Sequence, residues 1–322
     1  MDERRQRIAE DLSDALAGDI RTDDAALAMY STDASLYEIR PLAVAFPAEN
    51  RDVELLAAYA ADHQIPLIPR GSGSGLAGGC LGAGIVVDLS RHMHSILSID
   101  SGTVRVQAGV RRRVLNERLR SLGLTFAPDP SNARIATIGG MLGVDAAGSH
   151  AVRVGSTRDH VSSVECVLAG GQRIELGREH TGSAALPAQP MVGVRDLSNG
   201  DAGSVLSGRP DAIRLSSLTP ATRKQELVQG LSELLQQNDA LIRQYQPFMF
   251  RNSCGYMLRG VSDGCHLDLP RLLTGSEGTL GIFTEATLFT MPLPEHRAVA
   301  LLMFGAMEQA VQAMQLILPL EP

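Results

Sequence analysis

A mixed α+β fold is what the sequence predicts, and three observations lead there. Short apolar runs of strand length follow one another through short links, without the regular strand–helix alternation of a parallel α/β sheet. A hairpin is written around Gly170-Gly171, between Val164–Leu168 and Arg173–Leu176. Between these strands lie segments whose apolar residues recur at helical spacing.

In chain order, residues 4–17 read as a helix with Ile8, Leu12, Ala15 and Leu16 on one face. Leu42 to Phe46 reads as a strand closed by Pro47. Asn50 is placed to cap a helix carrying Val53, Leu56, Ala57 and Ala60. Ile65–Ile68, Ile85–Leu89 and Thr103–Ala108 read as strands, the last followed by a helix with Val114, Leu115, Leu119 and Leu122 on its inner face. Residues 178–219 are rich in Gly, Ser, Pro and Ala and read as an irregular insertion. A helix from Pro220 to about Tyr245 would turn Leu227, Leu231, Leu234, Leu235 and Leu241 inward. Gly281–Thr290 reads as a strand ended by Pro292 and Pro294, then Ala298–Phe304 as a strand and Met307–Leu316 as a helix. One βα unit cannot cover its own faces, so this last part is expected to open a second, incomplete domain.

Composition narrows the function. A net charge of −7 over 322 residues argues against sequence-independent nucleic-acid binding, which draws its affinity from Lys and Arg neutralising phosphates. Lys224 is the only lysine, which leaves little room for P-loop or Schiff-base chemistry. Cys80, Cys166, Cys254 and Cys265 show no CxxC spacing, so no zinc or iron–sulfur motif is present and free thiols in a reducing cytosol are expected. The N-terminus has no apolar stretch behind its charges, and Ala298–Leu318 carries Glu308 and three glutamines. The expected location is the cytoplasm, with no membrane span.

The run Pro69-Arg70-Gly71-Ser72-Gly73-Ser74-Gly75-Leu76-Ala77-Gly78-Gly79 contains a literal GxGxxG. A dinucleotide loop of the Rossmann type needs a helix to begin inside the motif and an acidic residue about 20 positions later. Only six residues separate Gly78 from Ile85, and three of these are glycine, so no helix fits. Pro66 and Pro69 also disfavour a central strand. What remains is a loop between two strands whose main-chain N–H groups can converge on one anion, with Ser72 and Ser74 as further donors. A diphosphate suits it. An NAD enzyme would survive only if the segment after Gly78 proved helical.

Three more stretches follow in order: Pro128-Asp129-Pro130-Ser131 with Thr137 to Ser149, then Val154 to Val161, then Leu273 to Glu285. Together with the glycine loop they resemble the FAD-binding domain of the vanillyl-alcohol oxidase and p-cresol methylhydroxylase superfamily. The similarity is greatest to its D-2-hydroxyacid dehydrogenase branch, which includes D-lactate dehydrogenase, the glycolate oxidase FAD subunit and D-2-hydroxyglutarate dehydrogenase. The resemblance covers roughly residues 30–295.

It implies two α+β subdomains, about 30–100 and 101–295, with FAD between them, a preceding segment 1–29, and in 296–322 the beginning of a cap domain. By resemblance, Arg70, Gly71, Ser72, Gly73, Ser74, Gly75 and Leu76 bind the diphosphate, with Pro69 also among the cofactor-binding residues. Pro130, Ile138, Gly139 and Gly140 line the flavin cleft, and Ala147, Gly148 and Ser149 continue it. Val161, Val164, Glu277 and Gly278 complete the dinucleotide site. Relatives with covalent flavin often have histidine where Ser74 stands, so non-covalent FAD is implied. Two departures stand out: the family commonly has Asn at Asp145 and Tyr at Val154. A carboxylate near the flavin would disfavour negative charge on the reduced ring, so Asp145 is expected to point outward.

The implied reaction is hydride transfer from a small D-2-hydroxy acid to flavin N5, with electrons leaving to an acceptor protein, a quinone or an iron–sulfur module on absent sequence or another chain. In such relatives the substrate-binding cation and catalytic histidines come from the cap domain, so no catalytic base is nominated here. His92 and His94 form an HxH pair without further ligands, and no metal site is expected. His150 and His160 read as polar loop residues, and Arg251 and Tyr256 as packing or substrate contacts. A non-catalytic FAD-binding subunit remains the alternative.

Overall fold

The computed structural model describes residues 3–181, 220–246, 255–296 and 298–320. Most of the predicted insertion, together with Arg251 and Cys254, lies outside them. The chain divides into residues Met1–Met291 and residues Pro292–Pro322.

The first unit contains two main sheets. One has the order β1-β2-β4-β3, from β1 (Asp19–Arg21), β2 (Ala43–Phe46), β3 (Leu67–Arg70) and β4 (Ile85–Asp88). β4 runs parallel to both β2 and β3, while β1 is antiparallel to β2. β2 and β4 read as unbroken apolar runs because both are buried throughout. Pro69 is tolerated because β3 is an edge strand, where a missing N–H breaks no central ladder.

α1 (Glu3–Leu12) sets Ile8 and Leu12 against this sheet, in a core shared with Val53 and Leu56 of α3 (Asn50–His63). The Asp52 carboxylate accepts from the N–H groups of Ala17, Gly18 and Ala48, which ties the segment after α1 to the start of α3. Asn50 is not the cap: Glu49 occupies that position without a side-chain cap bond, and the Asn50 amide donates instead to Glu165 and Glu285. α2 (Asp24–Met29) is capped by the Asp23 carboxylate and covers the other face of the sheet through Leu27.

The second sheet is antiparallel in the order β5-β6-β12-β8-β9. It comprises β5 (Ile96–Asp100), β6 (Thr103–Gln107), β8 (Val161–Val167), β9 (Arg173–Leu176) and β12 (Ile282–Phe289), with β7 (Leu124–Thr125) lying outside it. β10 (Arg178–His180) and β11 (His266–Asp268) form a separate antiparallel pair. One face buries Val104, Val106, Val164, Ala286 and Leu288 against α4 (Arg112–Arg120) and α5 (Ile138–Gly143). On α4 the inner positions are Leu115, Asn116 and Leu119, while Val114 and Leu122 are exposed, contrary to expectation. Asn116 takes the inner place because its amide bonds both the N–H and the carbonyl of Phe126.

The predicted helix 220–245 is broken at Asn238 into Pro220–Gln237 and Asp239–Tyr245. Val228 and Leu235 are buried, whereas Leu234 and Leu241 are exposed. In the second unit Met307–Ile317 is helical as expected, but Ala298–Phe304 is not a strand. A strand requires a neighbour for its main-chain groups, and among the described residues this segment pairs with none.

The other face of the second sheet carries a charge network. Arg105 lies within 3.3 Å of Glu165, Glu175 and Glu285, and the Asn50 amide donates to Glu165 at 2.8 Å and Glu285 at 2.9 Å. Burial, reinforced by the Glu285 charge, holds Glu165 above the usual carboxylate range. A raised carboxyl contributes stability below its unfolded pKa and loses it as pH rises through the folded one. Glu165→Gln is therefore expected to raise Tm relative to the parent more at pH 8 than at pH 4.5, read by thermal unfolding at the two pH values. Equal shifts at both would show that the arginines already neutralise the pair.

Candidate nucleotide site

The glycine loop leaves the sheet at Arg70, the C-terminal end of β3, and returns at Ile85 with no helix between. That removes the NAD alternative. Gly73 and Gly78 sit at φ +64° and +74°, where side chains are strained.

One flank is formed by residues 30–37. The Arg70 guanidinium folds back over the Tyr30 ring at 4.9 Å and donates to the Thr32 carbonyl at 2.9 Å. Tyr30 in turn donates its hydroxyl to Asp88 at 2.6 Å, and the Ala34 N–H donates to Gly73. Arg70 thus braces the loop, and its side chain is spent on that task.

The second flank is Asn132 and Thr137. Asn132 donates to the Ser74 hydroxyl at 2.8 Å, and a Cβ on Gly71 would strike Thr137 Oγ1. Thr137 caps α5, a short helix the sequence reading did not assign. The N–H groups of Ile138 and Gly139 go to the carbonyls of Val110 and Ala108, and that of Gly140 goes to Thr137 Oγ1. Glycine here therefore provides space and not donors. The Ile138 side chain is fully buried, while Gly140 is exposed.

The third flank is the turn 275–278. A Cβ on Gly278 would lie 2.5 Å from Pro69, and one on Gly79 would lie 3.5 Å from Glu277 Oε2. The N–H groups of Gly275 and Glu277 donate to the carbonyls of Leu142 and Gly143, which fixes this turn on the end of α5. Tyr256 donates or accepts across to Thr279 at 2.7 Å.

Other expected residues lie further along the same walls or within the core. Pro130 is buried beside Asp129, whose carboxylate is bonded by Ser149 and His150. Gly148 closes on the Asp129 carbonyl, with no room for a Cβ. Ala147 is half-buried between them. Leu76 is exposed on the loop. Val161 and Val164 place their side chains in the main core, so only their main chain is available to a ligand. His160 is buried, with Nε2 at 2.6 Å from the Val154 carbonyl, and so is not a polar loop residue.

Asp145 corrects an expectation. It is buried and not outward, at φ +49°, and its carboxylate accepts from the Arg158 N–H at 3.0 Å and pairs with the Arg158 guanidinium at 3.5 Å. Arg158 also donates to the Thr274 carbonyl at 2.7 Å. Its charge is therefore matched within the protein.

What this geometry offers a ligand is chiefly main chain. Among the described residues nothing accepts from the N–H groups of Ser72 to Cys80. Ser276 Oγ, in a residue only 2% exposed and one position before Glu277, also has no partner. No atom lies within 4 Å of a Cβ position on Gly75. Unsatisfied neutral donors around open space suit a diphosphate, which main-chain N–H groups bind well in such concavities.

The sequence matches the FAD binding domain family over residues 41–177. Residues 41–177 are an FAD-binding domain. FAD is its cofactor, and the resemblance drawn from the four stretches is borne out. The chain is 35% identical over 302 residues to D-2-hydroxyglutarate dehydrogenase of Escherichia coli (strain K12), covering 92% of this chain and 27% of that protein. It is 28% identical to glycolate oxidase subunit GlcD of Bacillus subtilis (strain 168), covering 88% of this chain and 44% of that one. Among solved structures, an alkyldihydroxyacetonephosphate synthase shares the fold at a TM-score of 0.54 and 18% identity, over 86% of this chain and 38% of that chain. The chain thus spans less than half the length of these relatives.

The FAD-binding domain holds one thiol beside its loop. Burial pushes Cys80 up to about 11 and Cys166 up to about 12, whereas Cys265 is exposed. Since the thiolate is the nucleophile, iodoacetamide at pH 8 is expected to alkylate Cys265 well before Cys80 and Cys166, as read by peptide mass mapping.

Proposed function

We infer that this chain is the FAD-holding part of an oxidoreductase acting on small D-2-hydroxy acids. The observation that carries this reading is the set of uncommitted N–H groups at 72–80 facing the Ser276–Gly278 turn, in a chain similar to D-2-hydroxyglutarate dehydrogenase. The diphosphate would rest on Gly71 to Leu76, with Ser276 Oγ and the main chain of Glu277 and Gly278 completing the nucleotide site. Gly139, Gly140 and the Pro130 and Ala147–Ser149 walls would border the ring system. Ser74, whose hydroxyl is bonded to Asn132, replaces the histidine of covalent relatives and leaves FAD non-covalent.

When bound, the flavin supplies an acceptor at N5 for a hydride from the substrate α-carbon. The task of this chain is to hold and orient the cofactor. The base, the substrate-carboxylate cation and the electron acceptor (a protein, a quinone or an iron–sulfur module) are assigned to other sequence. Residues 30–295 would form the FAD domain and 296–322 the start of the cap.

The second reading is a flavin-carrying subunit without turnover of its own. Titration with FAD, followed by anaerobic addition of D-2-hydroxyglutarate, glycolate or D-lactate, separates the two. Loss of flavin absorbance at 450 nm, roughly the usual oxidised-flavin band, supports the dehydrogenase. Bound FAD that no acid bleaches supports the subunit, and failure to bind FAD removes both.

A further inference from the structure

A second concavity, open to solvent and about 670 Å³ in volume, lies where α2, the ends of β2 and β4 and the turn into α4 face one another. None of its lining residues belongs to the set proposed for FAD. In a chain of net charge −7, this cleft gathers Arg21, Arg91, Arg111 and His94 around a single lining carboxylate, Asp88.

That carboxylate is already occupied, by the Tyr30 hydroxyl at 2.6 Å and by the Ser90 N–H and hydroxyl at 2.7 Å. Asp23 answers Arg21 at 2.6 Å, while Asp19 reaches Arg91 only at 3.8 Å. Among the described residues no carboxylate pairs with Arg111. Arg91 lies over the Phe46 ring at 4.6 Å, which holds its guanidinium in one orientation. The same cleft exposes Met29 and Val114, 73% and 47% accessible, beside these cations. Apolar surface next to preoriented guanidinium groups is the chemistry that recognises an amphipathic anion.

We propose that this cleft binds a small organic oxyanion, a carboxylate or phosphate ester. Arg91 and Arg111 grip the charged end, while Met29, Phe46 and Val114 cover the apolar part. The cleft shares Tyr30 with the flank of the glycine loop but none of the residues proposed to hold FAD, and it does not depend on the reaction assigned above.

The test is calorimetric titration of the FAD-loaded full chain with phenyl phosphate, hexanoate and inorganic phosphate, at an ionic strength held constant with chloride. Saturable binding of the first two at one site is expected, with inorganic phosphate weaker because it has no apolar part. A phosphate-ester preference over hexanoate would name the source of the oxyanion, and the reverse order would name a carboxylate. Arg111→Gln and Arg91→Gln should each weaken binding at least tenfold while the flavin spectrum stays unchanged. Arg111 is exposed, so its variant tests the site without disturbing the core. The proposal is overturned by absence of saturable heat with every probe, by variants that bind as the parent does, or by release of FAD on titration, which would place the anion on the glycine loop.

Discussion

Gly75→Val is expected to leave the FAD-free protein as stable as its parent and to weaken FAD binding by at least tenfold, about 1.4 kcal/mol. Nothing lies within 4 Å of the Cβ position, and the main chain there is not in the left-handed region, so the folded chain has no reason to object. Only a ligand pressed against the loop would meet the new side chain. Gly71→Val behaves differently, because its Cβ enters the space of Thr137 Oγ1, the cap of α5. That substitution should cost about 1–3 kcal/mol of stability through overpacking and weaken FAD as well. Calorimetric melting of the FAD-free proteins and fluorescence titration with FAD measure the two effects separately. If Gly75→Val retained parental affinity, the diphosphate would have to lie away from this loop.

That loop was readable because its argument is negative and local: six residues before Ile85 leave no room for a helix, whatever the tertiary context. The buried strands were readable for a related reason, since β2 and β4 are apolar runs bounded by turn residues. β1 was not, because Asp19-Ile20-Arg21 has no pattern of its own and is a strand only through pairing with β2. Ala298–Phe304 is the converse, a strand-like composition without a strand beside it. Helix faces failed where a polar residue took an inner position, as Asn116 does by bonding Phe126 in both directions. In the site, the glycine-rich stretches could be found one by one. Their braces could not, because Asn132 to Ser74, Arg70 to Thr32 and Ser276 beside Glu277 are defined by contacts between distant segments or by burial.

A further brace is Arg158. Its guanidinium is 4% exposed, paired with Asp145 and bonded to the Thr274 carbonyl, directly before the turn that sets Gly278 against Pro69. Burial lowers its pKa, opposed chiefly by Asp145. Removing the guanidinium takes its positive charge away from the buried Asp145 carboxylate, so Arg158→Met should cost about 3–5 kcal/mol. Tm should fall by on the order of 10 °C. Asp145→Asn should cost less, because the amide oxygen still accepts from the Arg158 N–H and asparagine tolerates the positive φ of this position. The double variant Asp145→Asn with Arg158→Met should recover part of the loss, since most of the single-variant cost is a buried negative charge deprived of its guanidinium. A thermodynamic cycle on the four proteins measures that coupling, and additive losses would show that the ion pair is incidental. FAD affinity, taken well below the melting range, should fall more for Arg158→Met than for Asp145→Asn. Asparagine leaves the bond from Arg158 to Thr274 in place, and that bond is what carries the pair's effect to the turn beside the glycine loop.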